Sequence, residues 1–151
     1  MQSASVLRLP VASRTRNFRP RVSDGLALFA ITLTFYLATA AQVVLVWQRV
    51  VPDALSRVAS AYFVLYSRDP HLAAIGFVRN PLPSLLTLPL LPFKAVFPAM
   101  TQMAFAASIA SAIFAAAAVY QLHQGFADAG LGRRLRLLLC GLFAIQPILV
   151  L

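Results

Sequence analysis

Acidic side chains are scarce in this chain, with four Asp or Glu among 151 residues against thirteen Lys or Arg. Each acid is therefore a candidate for a specific task. Asp53 is the most informative of them. It follows Pro52 just beyond an uncharged apolar run, and Arg57 comes one helical turn later. A carboxylate at such a place can act as a general base toward a hydroxyl or as a metal ligand. The same spacing also suits a helix N-cap with an i,i+4 ion pair, worth about 1 kcal/mol as a cap and a few tenths as a pair. Asp69 and His71 flank Pro70. They read either as a second acid or metal pair beside Asp53, or as a turn in which Asp69 caps the helix after Pro70. His123 stands alone beside a basic loop and reads as interfacial. The chain contains no GxGxxG, P-loop, CxxC or HExxH pattern. Dinucleotide, nucleoside-triphosphate and zinc-peptidase chemistry thus lack motif support. Cys140 is the single cysteine and lies in an apolar run, so it reads as a small buried hydrophobe.

The elements that must position these residues are membrane elements. The composition is 60% hydrophobic and 11% charged, with mean hydropathy +0.80. Globular chains are closer to about 45–50% apolar and about 25% charged. Lipid is the expected solvent for much of the surface. The net charge of +9 raises nucleic-acid binding as a possibility. Such binding needs the charges on one accessible face. Here they gather at the ends of apolar runs, as membrane topology requires, so a nucleic-acid partner is not expected.

Residues 1–24 carry Arg8, Arg14, Arg16, Arg19 and Arg21 without apolar periodicity, and read as a disordered basic cytoplasmic tail. Residues 25–47 form an uncharged first span ending on the interfacial residue Trp47. Ala38-Thr39-Ala40 resembles a signal-peptide cleavage site, but the apolar run continues through Val46. Residues 48–98 form an outside loop. Its first part, Asp53 to Tyr66, reads as an amphipathic surface helix with a stripe of Val58, Ala59, Tyr62, Leu65 and Tyr66. A second short helix is expected over Leu72 to Val78. Pro81, Pro83, Pro89, Pro92 and Pro98 then forbid an uninterrupted helix. Arg57, Arg68, Arg79 and Lys94 lie in this loop, where the positive-inside rule disfavours them. They suit either phosphate recognition or snorkelling to headgroups.

Residues 99–122 form a second uncharged span, in which Ala104, Ser108, Ala112 and Ala116 make a small-residue stripe for close helix packing. Residues 123–136, with Arg133, Arg134 and Arg136, read as a cytoplasmic loop. Residues 137–151 start a third span that is short and contains Pro147, as expected for the first piece of a larger protein. The expected class is all-α: polytopic membrane helices with juxtamembrane amphipathic helices, inserted in a bacterial inner membrane with the N-terminus cytoplasmic.

This order of parts resembles the N-terminus of GT-C fold glycosyltransferases, polytopic enzymes of the mannosyltransferase and arabinosyltransferase kind. The resemblance is carried by the Asp53-Ala54-Leu55-Ser56-Arg57 helix start, the stretch from Ser60 to Phe77 and Asn80-Pro81-Leu82-Pro83. It covers most of residues 25–151. It implies that Asp53 matches the catalytic acid of the first outside loop, serving as base or, in some members, as metal ligand. It further implies a polyprenyl-phosphate-linked sugar donor, inversion at the anomeric carbon, and Arg57 near the donor phosphate. Arg68, Asp69 and His71 would assist substrate binding. No cofactor is required, because the leaving group is already a phosphate, and a divalent metal is optional. The competing expectation is a non-catalytic membrane subunit or transporter fragment, to which the small-residue span would belong.

Overall fold

Alanine-rich and leucine-rich segments without internal proline favour helix, and helix is what the chain forms. The computed structural model describes residues 22–75 and 81–146, and among them there is no strand. The helices are α1 (Val22–Ala41), α2 (Pro52–Tyr66), α3 (Pro81–Thr87), α4 (Ala99–Gln102), α5 (Phe105–Asp128) and α6 (Arg133–Ala144). A π-helical turn, Gln42–Val46, extends α1. Two 3-10 segments, Leu72–Ile75 and Leu88–Ala95, sit in the loop between α2 and α4.

Among the described residues, two helical stretches are long and apolar enough to cross a membrane: Asp24–Val46 and Phe105–Asp128. Their outer faces carry Leu26, Ile31, Phe35, Ile113 and Phe114, with Ile31 67% exposed. A long helix with such a surface suits hydrocarbon as its surroundings. Inside hydrocarbon every polar group needs a partner. Thr32, Thr34 and Thr39 meet this by donating their hydroxyls to the carbonyls of Leu28, Ala30 and Phe35 on their own helix, at 2.8–2.9 Å.

α1 and α5 pack antiparallel. Ala112 and Ala116 are buried against Tyr36, together with Val119 of α5 and with Cys140 and Ala144 of α6. The Ala112–Ala116 half of the small-residue stripe thus accommodates the chain's own first helix, because alanine lets backbones approach closely. The approach is tightest at Gly25, where a β-carbon would lie 2.9 Å from Cε2 of Tyr120 and 3.2 Å from Nε2 of Gln124. A second apolar cluster joins Val58 and Ala61 of α2 to Leu91, Ala104, Ala106 and Ala107. It seats the loop elements on the start of α5.

Several boundaries differ from the sequence expectation. α1 begins at Val22, so the end of the expected tail is helical, and Met1 to Arg21 lie outside the described residues. The long second helix starts at Phe105 rather than Ala99, because Ala104 takes a left-handed conformation (φ 54°) that breaks the path from α4. It continues through His123 to Asp128, which shortens the expected loop 123–136 to a turn at Gly130 before α6 begins at Arg133. The α2 stripe is rotated. Val58, Ala61 and Val64 are buried, whereas Leu65 and Tyr66 are exposed. The proline-rich segment breaks into α3, a 3-10 stretch and α4, as proline's missing donor requires. The expected helix Leu72 to Val78 is a 3-10 segment over Leu72–Ile75, and its remainder, with Arg79, lies outside the described residues.

Candidate functional site

Pro52 occupies the first turn of α2, where its fixed φ suits helix initiation and its missing N–H costs nothing. The N-cap is Val51, which makes no side-chain cap hydrogen bond. Asp53 is therefore not the cap that its sequence position allowed. It lies inside the first turn, where the helix dipole favours a carboxylate. Its Oδ2 pairs with Nη2 of Arg57 one turn along, and both side chains remain partly exposed. An exposed i,i+4 pair of this kind contributes only about 0.3–0.5 kcal/mol. Its main effect is to fix where the two side chains lie.

Beside this pair a cavity of about 680 Å³ runs between α1 and α5. Asp53, Arg57 and Arg49 line its ionic end, the mouth, where the chain passes from the α1 extension into α2. Tyr36, Ala40, Val43 and Val44 form one wall, and Ala107 to Ala118 supply the other, with Ser108 and Ser111 the polar groups on it. Pro83 and Thr87 of α3 and Met103 close the loop side. The α5 wall spans about 16 Å at 1.5 Å per residue. The cavity is thus an amphiphilic, partly open cleft, with an ionic mouth and a long, mainly apolar shaft.

Backbone irregularity shapes the mouth. The Trp47 N–H donates to the Gln42 carbonyl at 3.0 Å in the π-turn, and the Arg49 N–H reaches back to Val43 at 3.1 Å. Between them Gln48 adopts φ 51°. A left-handed conformation is costly for a side chain larger than glycine's, by about 1–2 kcal/mol. Among the described residues, Gln48 and Ala104 are the non-glycine residues with positive φ. Each precedes or follows a cavity-lining residue, Arg49 and Met103 respectively.

The other expected site residues lie elsewhere. Arg68, Asp69 and His71 are exposed and do not line the cavity. They form a local turn: Ser67 Oγ donates to the Asp69 carbonyl at 2.8 Å, and His71 Nδ1 lies 2.6 Å from the same oxygen. The structure therefore brings together Asp53 and Arg57 but not the second group. Lys94 is taken by aromatic rings. Its Nζ is 3.2 Å from the Tyr62 hydroxyl and 3.3 Å from the centre of the Tyr66 ring. This cation–π arrangement ties the 3-10 stretch to α2. Among the described residues no group of three or more His, Cys, Asp or Glu could hold a metal.

Arg49 is the cavity residue that the sequence reading passed over. Its signal was present: a lone arginine just past the C-terminal end of the first apolar run, in the loop expected to be outside, where the positive-inside rule disfavours it. His123 is fully buried in α5, near the buried Arg136 of α6, because the helix continues past the expected end of the span. Comparison with protein-family models, curated proteins and solved structures finds no match for this chain.

Proposed function

We propose that this chain forms the donor-side part of a membrane glycosyltransferase that moves a sugar from a polyprenyl-phosphate carrier to an acceptor hydroxyl at the outer face of a bacterial inner membrane. The observation that carries this reading is the continuity between an acid–arginine mouth and an apolar shaft about 16 Å long in one cavity. An isoprenoid chain suits the shaft, and its phosphate suits a mouth with two guanidiniums. Both are features of a lipid-phosphate donor and of few soluble metabolites.

In this mechanism the acceptor oxygen attacks the anomeric carbon as its proton passes to the Asp53 carboxylate. The bond between that carbon and the phosphate oxygen breaks, and the electron pair leaves on the phosphate. The configuration inverts. The ion pair to Arg57 holds the Asp53 carboxylate at the cavity mouth, where general-base catalysis requires it to stand within hydrogen-bond reach of the hydroxyl.

The test is sugar transfer from a polyprenyl-phosphate donor in membranes, normalised to inserted protein. Asp53→Asn keeps size but removes the proton acceptor, so transfer should fall by about 10²–10⁴. Transfer within about twofold of wild type would remove Asp53 from the chemistry, since a base worth that factor cannot be lost silently.

A further inference from the structure

The two arginines of the cavity mouth are not equivalent. Arg57 is committed to Asp53 on its own helix. A phosphate that engaged Arg57 would compete with the carboxylate for the same guanidinium. Arg49 comes from a different element, the exit of the π-turn, and has no hydrogen bond or ion pair from its side chain to any described residue. It nevertheless lines the same cavity. It is presented there through the left-handed Gln48, a conformation that local sequence does not favour. Strained backbone beside a cavity is a recurrent mark of a functional group being aimed.

Charge gives the same answer. Among the described lining residues two guanidiniums accompany one carboxylate, and it is Arg57 that pairs with that carboxylate. Guanidinium binds phosphate through two parallel N–H donors. We infer that Arg49 is the residue that receives the phosphate head of a hydrocarbon-chain amphiphile lying in the α1–α5 cavity, and that Arg57 is a positioning residue for Asp53. This rests on the proposed reading of the cavity as a lipid-phosphate site, and reassigns the phosphate contact that the sequence resemblance implied for Arg57.

Trp47 is the single tryptophan. It is 59% exposed and two positions from Arg49, so it reports on ligands at the mouth. The experiment uses the chain in zwitterionic phosphatidylcholine nanodiscs. Trp47 quenching is titrated with a dodecyl phosphate brominated near its head, and with the matching brominated dodecanol. Wild type should respond to the phosphate at a concentration about tenfold lower than to the alcohol, as expected for charge-assisted hydrogen bonds. Arg49→Gln should lose that preference, Arg49→Lys should restore part of it, and Arg57→Gln should retain it. Millimolar inorganic phosphate should not displace the amphiphile.

Sugar-transfer kinetics separate the two roles. Arg49→Gln should raise KM for the donor with kcat kept, whereas Arg57→Gln should lower kcat with KM kept. Full head preference in Arg49→Gln, its loss in Arg57→Gln alone, or displacement by inorganic phosphate would each overturn the assignment. If Asp53→Asn abolishes transfer while Arg49→Gln keeps the preference, only the Arg49 role fails. If Arg49-dependent binding persists while Asp53→Asn transfers normally, only the catalytic reading fails.

Discussion

The Tyr36 hydroxyl donates a 3.0 Å hydrogen bond to the carbonyl of Ala144, joining residues 108 positions apart. Ala144 ends α6, so its carbonyl has no partner within the helix. At the opposite end Arg133, the first residue of α6, grips Asp24 through Nε and Nη2 at 3.0 and 3.1 Å. Asp24 and Tyr36 lie about 18 Å apart on α1, and Arg133 and Ala144 about 17 Å apart on α6, at 1.5 Å per residue. Two polar pins at matched spacing therefore align α6 parallel to α1. Tyr36 also lines the cavity, so the pin that seats α6 fixes part of the proposed site's wall.

Removing only the hydroxyl tests this pin. Tyr36→Phe keeps the ring against Ala112 and Ala116 but strands the Ala144 carbonyl. The expected loss is about 0.5–1.5 kcal/mol, read as a lower thermal midpoint of the detergent-solubilised protein. An unchanged midpoint would mean that the carbonyl finds another donor at no cost.

The Asp24–Arg133 pin should depend on salt and on the shape of the guanidinium. Arg133 is 60% exposed on its side chain, so the pair is screened by ions. Arg133→Lys keeps the charge and loses the two-pronged contact. It should lower the midpoint at low ionic strength, with the difference from wild type shrinking at high salt. Equal sensitivity at all salt concentrations would assign the effect to packing.

Arg136 carries the opposite expectation. It is 2% exposed, and its Nε and Nη1 find no hydrogen-bond partner among the described residues, as is true of both ring nitrogens of the buried His123. An apolar residue of similar length in place of a poorly compensated buried charge is often neutral or stabilising. Arg136→Met should leave the midpoint unchanged or raise it, while Arg133 and Arg134 preserve the basic flank. A loss of more than about 1 kcal/mol, toward the range for removing one member of a satisfied buried pair, would reveal a partner for this guanidinium.

The long apolar helices were legible because their composition is extreme, and proline positions located the broken loop without any tertiary information. The acid–arginine pair was legible too, since i,i+4 spacing fixes contact inside a helix. What the sequence hid depends on backbone conformations that propensity disfavours. Nothing about Gln48 or Ala104 announces a left-handed turn, yet these two residues set the start of α5 and the aim of Arg49. The burial of His123 and Arg136 was hidden for a different reason. Polar types argue for a loop, and only the packing of α5 on α6 overrides that preference. The rotation of the α2 stripe has the same cause: its partner surface, Leu91 with Ala104 and Ala107, comes from distant segments.

Orientation can be read with a single thiol. Cys140 is fully buried, so it contributes little background, and Cys140→Ser removes even that. Asp69 is almost wholly exposed at the loop turn. In that background Asp69→Cys should react with an impermeant thiol reagent in intact cells, from the arginine distribution along the chain. Reaction only after lysis would reverse the orientation and place the Asp53 mouth on the cytoplasmic side.

The shaft of the cavity makes a prediction distinct from its mouth. Ser111 lines the shaft on α5 and is exposed. Ser111→Leu should therefore fold normally while narrowing the space available to a hydrocarbon chain. Each atom pair in contact contributes about 0.1–0.2 kcal/mol of dispersion, so a chain that loses several wall contacts in the shaft should bind severalfold more weakly. Dodecyl phosphate should lose affinity by about that factor, while butyl phosphate, too short to reach the substituted level, should be nearly unaffected. The head-group contact at Arg49 is untouched, so the preference for phosphate over alcohol should persist at both chain lengths. Equal weakening of both phosphates would mean that the substitution disturbs the mouth. No weakening of either would place the chain outside the α1–α5 cavity, along the lipid-facing surface instead.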